Sequence, residues 1–183
     1  KMNDEHRVSR RGFLATSAVT GAALTLASSQ TESQAAGESR VSFVTANLVA
    51  RVSGYRFELA QWGEQHKKTV AATDEAAWRS ICSEIAAHGF KAIEIWEAHA
   101  APEVMDRKRA TAWKSIMDDC GLKAIGYGGG LSRKTLEICQ WLGIPQINGG
   151  INGNTPEQAT AMCREMGVRF NVENHPQKTA QEI

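Results

Sequence analysis

VRFNVENHP, Val168–Pro176, is the stretch that decides the fold. Val168, Phe170 and Val172 alternate as the buried face of a strand. The other set, Arg169, Asn171, Glu173 and His175, is entirely polar, and a proline closes the run. A strand buried on both sides of an open parallel sheet has no place for such a set. A barrel strand does: one face packs beneath helices, and the other turns to an interior that is wet at the strands' carboxyl ends.

Two earlier segments repeat the pattern. In KAIEIW, Lys91–Trp96, Ile93 and Ile95 point outward while Glu94 and Trp96 point in. In PQINGG, Pro145–Gly150, Ile147 is outward and Gln146 and Asn148 are inward. VSFVTANLV (Val41–Val49) and LKAIGY (Leu122–Tyr127) complete five strands.

Helices stand between them. Thr73 or Asp74 opens one that runs to His88 before Gly89, and a second spans Val104 to Cys120 and stops at Gly121. Ser132 caps a third, which ends at Gly143. Thr155-Pro156-Glu157-Gln158 is a capping box with proline at the first helical position, opening a helix to Met166 that Gly167 closes.

Alternating strands and helices give an α/β fold with a parallel sheet. The expectation is a (β/α)8 TIM barrel, with about five of eight βα units present. At about 30 residues per unit, eight units approach the ~250 residues of such barrels, so about three more are expected beyond Ile183. A five-stranded open sheet of flavodoxin type needs a similar length. It is disfavoured because the first βα connection has no phosphate-cradling glycine loop. That connection, RVSGYRFELAQWGEQHKKTVAA, reads as an excursion over the barrel's top face, with Trp62 and His66 as lid candidates.

Residues 1–38 read as a targeting segment and linker, and 39–183 as the barrel domain. Arg7, Arg10 and Arg11 precede an apolar run from Phe13 to Ala27. The run is short and rich in Ala, Ser and Thr, whereas a stable span needs about 20 apolar residues, so no membrane span is expected. Ser9-Arg10-Arg11-Gly12-Phe13-Leu14 resembles the twin-arginine export signal. That resemblance implies the twin-arginine export machinery as a partner and a periplasmic or otherwise exported location.

With 21 Lys and Arg against 20 Asp and Glu, the chain lacks the basic excess that drives nucleic-acid binding. Cys82, Cys120, Cys139 and Cys163 form no Cys-x-x-Cys pair, so neither a zinc knuckle nor a redox dithiol is signalled. They read as small buried hydrophobes, with a disulfide left open for an exported chain. Gly126-Tyr127-Gly128-Gly129-Gly130 fits neither the dinucleotide nor the P-loop pattern, which favours a tight βα turn over a phosphate seat.

HGFKAIEIWEAH (His88–His99), NGNTPEQA (Asn152–Ala159) and VRFNVENHP together resemble the sugar phosphate isomerase/epimerase family, the xylose isomerase-like TIM barrels. The resemblance covers Val41 to the C-terminus. It implies proton transfer on a sugar, keto-sugar or polyol through an enediolate, assisted by Mn²⁺, Mg²⁺ or Zn²⁺. Glu173 matches the family's first metal ligand and a catalytic acid/base; the other ligands belong to later strands, so the 183-residue chain is expected to be inactive alone. His175, His99, Trp96, Glu94 and Asn148 are the implied substrate-binding residues, His99 being either at the pocket or on an exposed loop. An apurinic endonuclease-like metal phosphodiesterase and a non-catalytic exported sugar-binding protein are the alternatives. An uncovered sheet edge would favour a homo-oligomer.

Overall fold

The computed structural model describes residues 41–50, 54 and 61–173, all within the unit Ser39–Ile183. The export-signal segment, His175 and Pro176 lie outside the described residues. One parallel sheet carries β1 (Ser42–Val44), β2 (Ala92–Trp96), β3 (Lys123–Gly128), β4 (Gln146–Gly149) and β5 (Arg169–Val172), in that spatial order. Helices α1 (Trp62–Ala72), α2 (Glu75–Ala87), α3 (Arg107–Asp119), α4 (Arg133–Leu142) and α5 (Pro156–Met166) stand between the strands.

The order separates the two candidate architectures. Right-handed crossovers that always step to the next strand keep every helix on one side, whereas a doubly wound sheet reverses at a switch point. Here each strand follows its sequence neighbour, the arrangement of five successive units of a (β/α)8 barrel. Ile93, Ile95, Ile147 and Val168 enter one core with the buried residues of α2–α5. Full burial of each Ile stabilises the fold by about 2 kcal/mol.

Local chemistry sets the boundaries. Asp74 and Asp106 cap α2 and α3 by accepting from Ala77 N and Arg109 N, and Asp106 is why α3 begins later than the apolar pattern suggests. Ser132 and Thr155 form capping boxes, the latter with proline in the first turn. Gly143 and Gly167 end α4 and α5 at φ values of 72° and 65°, where a side chain would be strained.

Three features depart from the sequence reading. Helix α1 replaces part of the expected excursion. It has no wide apolar stripe; Gln65 and Thr69 are its buried residues, and Thr69 and Thr73 donate their hydroxyls to the carbonyls of Gln65 and Thr69. Strand β1 stops at Val44, because the chain turns into a 3-10 helix over Thr45–Leu48 and the Thr45 hydroxyl, not a carbonyl, receives the Trp96 N–H.

In β3, pairing shifts so that Ile93 opposes Ala124 but Glu94 opposes Gly126, which makes Ile125 the extra residue of a bulge. Ala124 and Tyr127 can therefore both enter the helix-side core while Gly126 and Gly128 both face the other way.

The segment after β2 is anchored from behind. Trp78 and Trp113 stack with centroids 5.9 Å apart. Trp113 Nε1 donates to the His99 carbonyl, and the Tyr127 hydroxyl to the Ala100 carbonyl. The cysteines are free thiols; burial pushes those of Cys82 and Cys139 up to about 12. Among the described residues no helix is long and apolar enough to cross a membrane.

Candidate active site

The strands' carboxyl ends surround a cleft of about 460 Å³. Glu94, Trp96 and Glu97 enter it from the end of β2, Gly128–Gly130 from β3, Gly149, Gly150 and Asn152 from β4, and Glu173 from β5. Trp62 and His66 of α1 form a further wall. A larger groove of about 750 Å³ runs along α5 and β5, but it is mainly apolar and its described lining contains no acid or histidine. The smaller cleft is where titratable groups converge.

Glu94 is one end of a polar ladder built from three strands, with Asn148 at its centre. Asn148 Nδ2 on β4 donates to Glu94 Oε2 at 2.6 Å, and Asn171 Nδ2 on β5 donates to Asn148 Oδ1 at 2.8 Å. Between β2 and β4 lies β3, whose inward positions are Gly126 and Gly128. A Cβ at Gly126 would stand 2.9 Å from Glu94 Oε2 and 3.1 Å from Asn148 Nδ2. The glycines are the gap through which the two side chains meet. Below them, Arg169 donates to Gln146 Oε1 at 3.2 Å in a second inward pair.

Burial pushes the Glu94 carboxyl above its ordinary range; the Asn148 hydrogen bond opposes this, and the Glu173 charge adds to the rise. Glu173 is exposed, and its N–H continues the β4–β5 ladder by donating to the Gly149 carbonyl at 3.1 Å. The two carboxylates thus face one cleft from β2 and from the end of β5, and the charge of Glu173 is felt at Glu94.

Trp96 is the apolar floor. Its ring meets Trp62 edge to face at 5.2 Å and His66 at 5.8 Å, so both lid candidates stand at the cleft. His99 takes neither place expected of it. It is 2% exposed, lies behind Trp96 at 5.9 Å, and does not line the cleft. Its Nδ1 is 2.9 Å from the Thr45 hydroxyl, which already accepts the Trp96 N–H. With the hydroxyl proton directed to Nδ1, the imidazole proton sits on Nε2, a buried atom with no partner. The alternative tautomer would leave two groups unpaired. Burial lowers the His99 pKa to about 4 and keeps the ring neutral.

Sequence reasoning missed three contributors. Glu97 follows β2 and places its carboxylate on the glycine corner, accepting from Gly130 N at 2.9 Å. Gly126 and Gly128 give the ladder its space. The available signal was glycine at alternate positions within a strand, which marks a close approach by another group.

Carboxylates suit a hard divalent cation. Yet among the described residues no group of three or more His, Cys, Asp or Glu is placed to hold one, so they do not make a complete metal site.

No family model and no curated protein matches this chain. Similar solved structures include an uncharacterised protein from Parabacteroides distasonis, with 12% identity and a TM-score of 0.47 over 57% of this chain and 50% of that one. A D-psicose 3-epimerase solved in the presence of D-fructose shows 16% identity and a TM-score of 0.38 over 51% and 45%. A sugar phosphate isomerase/epimerase from Parabacteroides distasonis shows 11% identity and a TM-score of 0.38 over 75% and 52%. The chain spans about half the length of these structures.

Proposed function

We propose that the chain is part of a divalent-metal-dependent isomerase or epimerase that moves a proton on a sugar, keto-sugar or related polyol through an enediolate. The observation that carries the reading is the placing of Glu94 and Glu173, from β2 and β5, around one cleft floored by Trp96. Proton transfer next to a carbonyl needs a carboxylate at the reacting carbon and groups that hold the neighbouring oxygens. Glu173, exposed in the cleft, takes and returns the proton. Glu94, fixed by Asn148, receives a substrate hydroxyl on the Oε1 side, and Asn148 supports that position. Trp96 supplies an apolar face for the carbon chain. His175, two residues beyond Glu173, orients that carboxylate or a substrate oxygen.

Mn²⁺, Mg²⁺ or Zn²⁺ would take Glu173 as one ligand, and such an ion polarises a carbonyl so that the adjacent proton leaves more easily. Support for the ion is the resemblance of VRFNVENHP, and for export the Arg10-Arg11 motif. The test is exchange of solvent deuterium into the carbon beside the carbonyl of D-fructose by the intact protein with Mn²⁺. Glu173→Gln should abolish exchange while leaving the fold intact; full exchange by that variant sinks the assignment.

A further inference from the structure

The glycine corner of the cleft has the outline of a phosphate seat: a glycine-rich turn leading to the capped start of α4. Its donors are already used. Gly129 N donates to the Asn148 carbonyl, Gly130 N to Glu97 Oε2 and Leu131 N to the Gly150 carbonyl, each at 2.9 Å. At the helix start, Ser132 N and Thr135 N close on the side chains of Thr135 and Ser132, so two of its donors are taken as well.

The position an anion would need is held by the protein's own carboxylate. A Cβ at Gly129 would come within 2.1 Å of Glu97 Oε2, which shows how closely Glu97 covers the turn. Only one Glu97 oxygen is engaged there, and the other is left as an acceptor. Around it the described lining adds Glu94 and Glu173 and contains no Lys or Arg. The wall also carries the edge-to-face pair of Trp62 and Trp96, with His66 and Asn152 beside them. A phosphate brought to this corner would meet three carboxylates and find the turn's own backbone donors taken, with the Asn152 amide beside Gly130 as a neutral donor, a costly arrangement even when partly screened. A hydroxyl would find an acceptor, and a carbon-bound hydrogen face would find an indole.

Resting on the isomerase/epimerase reading, we infer that the substrate is an unphosphorylated sugar or polyol, held at the glycine corner by hydroxyl groups donating to Glu97. Glu97 is a specificity-determining residue, separate from the proton-transfer residue Glu173.

Saturation-transfer NMR on the metal-free protein, with D-fructose and D-fructose 6-phosphate as probes, tests this. Removing metal prevents an ion from recruiting the phosphate. D-Fructose should bind at least about tenfold more tightly, a gap of about 1.4 kcal/mol. Glu97→Gln keeps an oxygen for Gly130 N–H but removes the charge, and should narrow that gap several-fold. Equal or tighter binding of the phosphorylated sugar, no binding of either, or an unchanged ratio in Glu97→Gln overturns the inference. Binding of D-fructose without deuterium exchange would keep this inference and remove the isomerase reading. Exchange with preferential phosphate binding would do the reverse.

Discussion

Asn148 reaches Glu94 across the full width of an intervening strand, Nδ2 to Oε2 at 2.6 Å, because β3 presents glycine where every other strand could present a side chain. The amide has a fixed sense. Its oxygen is taken by Asn171 Nδ2, so its nitrogen must face the carboxylate.

That fixed sense makes Asn148→Asp a probe of charge at constant shape. The substitution sets a second carboxylate against Glu94, whose carboxyl burial already pushes upward. Stability should fall by about 2 kcal/mol at neutral pH. As pH falls, one carboxyl of the pair takes a proton and restores a hydrogen bond, so the deficit should shrink. Urea unfolding at pH 7 and pH 4.5 measures it; an equal deficit at both would mean that repulsion is not its source.

Two glycines should respond differently to alanine. At Gly126 the new Cβ meets the ends of Glu94 and Asn148, which can swing aside. The cost should be about 1 kcal/mol, with loss of the ladder and of sugar binding. At Gly149 the Cβ would stand 2.0 Å from the Gly129 carbonyl oxygen, which is backbone and cannot yield. Gly149→Ala should cost about 3 kcal/mol or more. Thermal unfolding of both variants checks the order, and a smaller loss at Gly149 would contradict the packing described.

These glycines mark where sequence reading stops. The outward residues Ile93, Ile95 and Ile147, the caps at Ser132 and Thr155, and the inward Glu94 and Asn148 follow from period and cap chemistry alone. The bulge at Ile125 was hidden because it is defined by pairing with β2, not by composition. Helix α1 was hidden because its fully buried residues are Gln65 and Thr69, so Trp62 and Val70 alone make no apolar stripe. Burial of His99 was hidden because the groups enclosing it, Thr45, Trp78 and Trp96, come from three separate segments.

Thr45 joins two of those segments through one oxygen, accepting from Trp96 N and contacting His99 Nδ1. Thr45→Val keeps the shape and strands both partners in a buried place. Each unsatisfied group costs about 1–3 kcal/mol, so the variant should lose about 3 kcal/mol. Thr45→Ser keeps the hydroxyl and should recover most of this. Chemical denaturation of the pair decides it, and a Val variant as stable as the Ser variant would rule out the bridge.

His99 gives the fold an acid-labile element whose direction can be worked out. Its pKa drops from the ordinary 6.5 to about 4 because burial disfavours the imidazolium. Between those values the unfolded chain binds a proton that the folded chain does not, so stability falls as pH falls from 6.5 and levels off near 4. At about 1.4 kcal/mol per unit, the loss is about 3 kcal/mol. Gln at position 99 takes up no proton, so His99→Gln should flatten that part of the stability–pH curve whatever its effect at neutral pH. Urea unfolding followed by tryptophan fluorescence from pH 7 to pH 4 reads the slope, since Trp78 and Trp96 adjoin the ring. An unchanged slope in the variant would place the acid sensitivity elsewhere in the molecule.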